Sequence, residues 1–275
     1  MTVEMTLDPK ERFAFGKNWS RFLQHFDESR VKEAEKSLQD KLGLLDLTGK
    51  SFLDIGSGSG LFSLAAHRLG ARVFSFDYDQ DSVNCTQYLK KTYGRNDLEW
   101  SVEQGSVLQQ AFLNKFEQVD ILYSWGVLHH TGHMFQAFQN VSHLVKDGGL
   151  LFISIYNDQG RRSRSWTTIK KRYNQSNVFF KNMILFLCLV RLWGITVFKD
   201  LLKSLNPLKT WLTYRYNNRG MSAWHDVVDW AGGYPFEVAK PEEIFQFFKS
   251  RGFQLEKLKT CAGGLGCNEF VFVKK

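Results

Sequence analysis

At 275 residues with 43% hydrophobic content, the chain has enough material for one sizeable core with an insertion to spare. Its four cysteines, Cys85, Cys188, Cys261 and Cys267, show no C-x-x-C spacing, so neither a disulfide framework nor a zinc site follows from them. The formal net charge of +8 is localised: residues 157–224 hold thirteen Lys/Arg against two acids, a net +11, which leaves the remainder at −3. A surface that is basic all over is thereby excluded, and one basic patch facing a partner or a membrane is expected.

The first nine residues lack a basic stretch followed by an apolar one, so a secretory signal is not expected and a cytoplasmic location is. Residues 11–26 carry five aromatics, which fits either a covering flap over a pocket or a packing helix. Asp27 or Ser29 can cap the next helix, where Val31, Ala34, Leu38, Leu42 and Leu45 recur every three to four residues; that helix is expected to end between Gly43 and Gly49. Strand and helix then alternate: strand 51–56, helix 60–69, strand 71–77, helix 80–93, strands 98–103 and 119–124, helix 135–144 and strand 150–156. Such alternation predicts right-handed crossovers and a parallel sheet, whose ligands sit beyond the carboxyl ends of the strands. After a long insertion, Pro241 and two acids open another helix, and strands 253–259 and 268–273 close the chain.

The chemistry concentrates at those strand ends. Gly56, Gly58 and Gly60, with Ser57 between them, join the first strand to the first helix of the alternation, where a tight turn and free N–H groups can meet a ligand. Asp77 ends the second strand, 21 residues after Gly56, and a carboxylate there can accept both hydroxyls of a ribose. Two details favour S-adenosylmethionine over NAD: the spacing is Gly-x-Gly-x-Gly, and Asp54 sits inside the turn, where an acid suits an ammonium and a sulfonium better than a pyrophosphate. Ser106 and Val107 follow the third strand, where a small polar residue can face an adenine. Trp125 to Thr131 forms the turn after the fourth strand, beneath the methyl group. Trp19 and Tyr78 complete the candidate cofactor residues, and no metal is expected.

Together Leu53-Asp-Ile-Gly-Ser-Gly-Ser-Gly60, Phe76-Asp77, Gly105-Ser-Val107, Tyr123-Ser-Trp-Gly-Val-Leu-His-His130 and Lys146-Asp-Gly-Gly-Leu-Leu-Phe-Ile-Ser-Ile155 resemble the class I S-adenosylmethionine-dependent methyltransferases. Within that superfamily the chain looks most like the small-molecule branch, such as the quinone-biosynthesis O-methyltransferases. The resemblance covers residues 50–156 and 238–275. It implies an α/β, Rossmann-like, seven-stranded, mostly parallel sheet in the order 3-2-1-4-5-7-6, with the seventh strand antiparallel and helices on both faces. The chain then reads as one methyltransferase domain: an N-terminal helical cap (1–49), a core (50–156 and 238–275) and a basic helical insertion or lid (157–237).

An acceptor is expected to meet that insertion. Tyr156, Asn157, Asp158 and Gln159 leave the fifth strand where an acceptor binds, although Asn-Asp-x-Gly also makes an ordinary turn. Val178 to Phe198 is interrupted by Lys181 and Arg191, leaving nine uncharged residues between them, too few to span a bilayer. An amphipathic or buried helix packed as a lid is favoured, and interfacial membrane attachment through 161–215 is the alternative. Arg219, His225 and Asp226 lie in a loop of mixed chemistry suited to a pocket wall. Methyl transfer to a hydroxyl needs a base near neutrality, and His130 is the first candidate, with His129 and His225 as alternatives. The expected partner is a small or lipid-linked hydroxylated molecule such as a quinol, phenol or sugar. A nucleic-acid methyltransferase is the rival suggested by the basic insertion, but no Asn/Asp-Pro-Pro-Tyr follows the fourth strand, so nucleic acid is not the expected partner. A methyltransferase fold retained as a non-catalytic binding or membrane-associated module is the second rival.

Overall fold

The computed structural model describes residues 13, 15, 16, 19, 23, 26–217 and 223–275. Each local signal acts through a nameable contact. Helix α1, Glu28–Leu42, starts where the Asp27 carboxylate accepts the Arg30 N–H at 3.2 Å, and it stops at Gly43, whose φ of 72° turns the chain left-handed. Its buried face is Val31, Ala34, Leu38 and Leu42, as the spacing predicts, but Leu45 lies beyond the cap and is 85% exposed. Strand β1 (Ser51–Ile55), helix α2 (Leu61–Arg68), β2 (Arg72–Asp77), α3 (Gln80–Tyr93) and β3 (Trp100–Gln104) follow. A short α4 (Gln110–Leu113), not anticipated from the sequence, precedes β4 (Val119–Trp125), α5 (Met134–His143) and β5 (Val145–Tyr156).

The insertion forms α6 (Arg161–Gln175), α7 (Val178–Ser204), α8 (Lys209–Asn217) and α9 (Ala223–Gly232). The closing elements are α10 (Pro241–Lys249), β6 (Phe253–Lys259) and β7 (Cys267–Lys274). The sheet runs β3-β2-β1-β4-β5-β7-β6, the order expected, with β7 antiparallel to both its neighbours. β5 begins five residues earlier than the apolar run suggests, because Val145 pairs with Val119 ahead of a register shift in β4.

Strand alternation sends side chains to two cores. Leu53, Ile55 and Leu122 pack with Phe112, Phe138 and Phe248 from α4, α5 and α10. Phe52, Ile121 and Tyr123 face Leu38, Leu64 and Leu89 from α1, α2 and α3. Contacts divide the chain into two compact units, one holding Arg161–Phe236 with Phe13, the other holding the sheet and its flanking helices. The insertion leaves and re-enters the sheet unit at one place: Asn157 and Ala239 form a parallel bridge, with Asp158 N donating to Ala239 O at 3.2 Å.

Inside the helical unit, Trp166 is buried edge-on to Trp230 at 5.5 Å. The Lys170 ammonium is wholly buried, donates to the Trp230 carbonyl and lies 4.4 Å from the Trp230 ring and 4.6 Å from that of Phe236. Helix α7, read from the sequence as an amphipathic or buried helix, buries only Leu185 and Cys188 along its 27 residues.

Candidate functional site at the strand ends

The turn from β1 into α2 is built from three glycines with left-handed backbone, at φ 78°, 55° and 81° for Gly56, Gly58 and Gly60. Gly56 N and Ser57 N both donate to Phe76 O, at 2.8 and 3.2 Å, which pins the turn to the end of β2. A side chain at Gly60 would place its Cβ 2.8 Å from Thr86 Cα. At Gly56 the added carbon would meet Val127 at 2.4 Å, so the turn after β4 closes over the glycine turn. Beside Gly58 stands Trp19, its indole Nε1 3.0 Å from where a Cβ would lie. Glycine is therefore required here by backbone conformation and by close approach together.

Asp77 binds this turn as well as ending β2. Its Oδ2 accepts Gly58 N at 2.9 Å and its Oδ1 accepts Asp79 N at 2.9 Å. Asp79 in turn caps α3 through Asp81 N and holds Gly16 N at 3.0 Å, bringing the N-terminal segment beside the glycine turn.

Asp54 is buried beneath the turn and accepts the Ser63 hydroxyl. Ser63 accepts from Ser75 at 2.8 Å, and Ser75 accepts the Trp100 indole N–H at 2.9 Å, so a buried polar chain links β3, β2 and α2 to this acid. Burial pushes the Asp54 carboxyl up from 3.8 to about 7, against the Ser63 hydrogen bond and with help from the negative Asp77. A cationic group bound near these two acids would relieve that penalty.

The second cluster follows β4. Gly126 at φ 76° turns the strand into a single 3-10 turn, Leu128–His130. His129 is fully buried with its ring 4.0 Å from that of Tyr156, whereas His130 keeps 8% exposure and sits 5.0 Å from the Phe15 ring and 5.5 Å from that of Tyr156. Of the adjacent pair, His130 is the one with surface to offer. Glu237 organises this corner: its N–H donates to His129 O at 2.9 Å, and its carboxylate accepts Met134 N at the start of α5 at 3.0 Å. Burial raises the Glu237 carboxyl, opposed by the backbone amides of Met134 and Gly132.

The remaining sequence candidates divide. Ser57 Oγ meets Thr86 Oγ1 at 2.9 Å within the turn. Val107 is buried, its carbonyl held by Asn140 at 2.7 Å, and the Ser106 hydroxyl accepts Leu108 N. Tyr78 is 47% exposed. The Trp125 indole donates to Glu269 on β7 at 3.1 Å, a contact across β5 that its position in the strand-four motif does not announce.

Asn157 accepts from Asn268 on β7 at 3.1 Å and Gln159 donates to Gly263 O in the β6–β7 loop at 2.7 Å, while Asp158 accepts Gly160 N at 2.7 Å within its own turn. In the helical unit Asp226 accepts the Tyr214 hydroxyl at 2.6 Å. Arg219 and the side chain of His225 lie outside the described residues. No individual role is read from the sequence for Glu237, Phe15, Val127, Thr86 or Ser63, although Val127 lies within the turn after the fourth strand and Phe15 within the aromatic N-terminal stretch. Their partners are 9 to 115 residues away, and no local pattern marks them.

Comparisons with known proteins agree with this geometry. The family described as "Methyltransferase domain" matches residues 23–182. The chain is 32% identical over 111 residues to the ubiquinone biosynthesis O-methyltransferase of Glaesserella parasuis serovar 5 (strain SH0165), covering 40% of this chain and 47% of that protein. To the protein of that name from Sinorhizobium fredii (strain NBRC 101917 / NGR234) it is 28% identical over 128 residues, covering 46% and 50%. The chain thus spans about half the length of the curated relatives it matches. Among solved structures it is similar to magnesium protoporphyrin IX methyltransferase from Synechocystis PCC 6803 with bound SAM, at 12% identity and a TM-score of 0.55 over 99% of this chain and 100% of that one. The same enzyme with bound SAH gives 14% and 0.52 over 94% of each. At these identities the likeness is one of fold.

Proposed function

The chain belongs to the methyltransferase-domain family, the class I S-adenosylmethionine-dependent methyltransferases, and from that premise we propose that it methylates a hydroxyl of a small or lipid-linked molecule, a quinol or phenol first among them. The observation that carries this reading is the junction of two strand-end turns: Val127 closes over Gly56, which sets the glycine turn with Asp77 beside the turn that carries His130. The names of the curated relatives support a hydroxyl as the acceptor.

The residues fit the donor. Gly56, Ser57, Gly58 and Gly60 form the left-handed turn at the end of β1, Asp77 at the end of β2 is the carboxylate for the ribose hydroxyls, and Asp54 with Asp77 supplies negative potential for a cation. Trp19, Tyr78, Ser106, Val107 and Trp125 are assigned to the same site. When bound, S-adenosylmethionine supplies an electrophilic methyl on a sulfonium. What remains for the protein is to position the acceptor and remove its proton. In this reading His130 takes that proton, with the rings of Phe15 and Tyr156, 5.0 and 5.5 Å away, positioning the imidazole. Arg219, His225 and Asp226 are assigned to the acceptor, with His225 the alternative base.

Transfer of labelled methyl to a panel of hydroxylated quinols and phenols tests the reading. General-base catalysis is worth about 10²–10⁴-fold, so His130→Gln is expected to lower kcat by at least about 100-fold while S-adenosylmethionine affinity, read by calorimetry, stays within a few-fold. Unchanged turnover would remove His130 as the base. The same loss in His225→Gln alone would move the role there.

A further inference from the structure

Helix α7 reverses the usual polarity of a surface helix. At 100° per residue, Phe179, Met183, Phe186, Leu187, Val190 and Leu201 fall on the side opposite Leu185 and Cys188, the two residues that are buried. These outward residues are 44 to 73% exposed, and Phe180 and Phe198 widen the patch. A contiguous apolar face of this kind marks an interaction surface.

Length and composition alone would admit a bilayer span along the 27 residues of α7. Lys181 and Arg191 argue for another placement: they leave nine uncharged residues between them, where a span needs about 20. The Arg191 guanidinium lies 5.0 Å from the Trp166 ring, so the helix carries a cation as a built contact on its flank. Trp193 stacks edge-on with Trp211 at 4.7 Å and with Tyr214 at 5.2 Å, a cluster of amphipathic rings joining α7 to α8. Residues 157–224, which hold this face, are net +11, or +10 without the buried Lys170, which opposes pairing with a second copy of itself and complements an anionic surface.

We propose that this face seats the protein on an anionic phospholipid bilayer. Helix α7 lies in the interfacial plane, with Met183, Phe186, Leu187 and Val190 at the acyl boundary and the insertion's lysines and arginines among the headgroups. The proposal deepens the reading of a lipid-linked acceptor, since the surface that holds the enzyme would also hold its substrate, but its test reads binding and not turnover.

The full chain is sedimented with vesicles of phosphatidylcholine alone and of phosphatidylcholine mixed with phosphatidylglycerol. Binding to the mixed vesicles is expected to weaken as salt rises. The triple variant Phe186→Ser, Leu187→Ser, Val190→Ser is expected to bind them at least about tenfold more weakly with unchanged S-adenosylmethionine affinity. The salt series on the unaltered chain keeps the proposal testable should the variant misfold. No binding to mixed vesicles, salt-independent binding or full binding by a folded triple variant overturns the proposal. So does a dimer that the triple substitution dissolves, or a preference for RNA over the mixed vesicles. Vesicle binding without S-adenosylmethionine binding would sink the methyltransferase reading and leave this one standing.

Discussion

Three residues at the strand ends carry consequences out of proportion to their size. Gly60 holds φ 81° with Thr86 Cα where a Cβ would go, so Gly60→Ala combines left-handed strain with a backbone clash. The strain alone is worth about 1–2 kcal/mol, so the urea midpoint should fall by at least that equivalent, with a marked loss of cofactor affinity in calorimetry. Asp54, held up at about 7, gives a pH signature. Its folded-state pKa lies above the unfolded 3.8, so between about pH 4 and 7 the folded state binds more proton, and stability falls as pH rises through that window, then levels. Asp54→Asn keeps an acceptor for the Ser63 hydroxyl and should flatten this slope in denaturation measured across pH. Asp77 differs, because it is fixed by two backbone amides. Charge-assisted hydrogen bonds are worth about 1.5–3 kcal/mol, so Asp77→Asn should weaken S-adenosylmethionine binding by about tenfold or more in calorimetry.

At the scale of elements, the two halves of the chain hold together by different means. Around the sheet, helices are seated by caps and apolar stripes, as α1 is by Asp27, Gly43 and its four buried residues. Asp27→Ala removes the cap and should lower the urea midpoint. In the helical unit, α6 and α9 close around a buried ammonium. Burial pulls Lys170 down from 10.5 to about 7. The unfolded chain therefore binds more proton between about pH 7 and 10, and the unit should gain stability as pH rises through that range. Near-UV circular dichroism of the Trp166–Trp230 pair during thermal melts would follow it, and Lys170→Met should abolish the dependence.

At the scale of the whole molecule, the Asn157–Ala239 bridge means that the insertion departs and returns through adjacent backbone. Replacing residues 161–236 by a short Gly/Ser linker should therefore leave the sheet intact. We expect that shortened chain to bind S-adenosylmethionine within a few-fold of the full chain and to lose methyl transfer and vesicle binding together. Loss of donor binding would show that the insertion also supports the donor site.

The sequence by itself determined the sheet, its order through family resemblance, and the glycine turn with its two acids. Those depend on signals that are local or recur at a fixed period: alternation of strand and helix, glycines where the backbone must turn left-handed, and a carboxylate at a strand end. Only the tertiary structure decided which groups are committed elsewhere. Asn157 and Gln159, read as acceptor contacts or part of an ordinary turn, hydrogen-bond Asn268 and Gly263 O, Asp158 accepts Gly160 N within its own turn, and Trp125 reaches Glu269 across 144 residues of chain. It also decided that Glu237 organises the His129–His130 corner, and that α7 turns its apolar side outward instead of burying it. Helical period places residues on a common face, but packing alone settles which way that face looks, because burial is a property of what lies opposite.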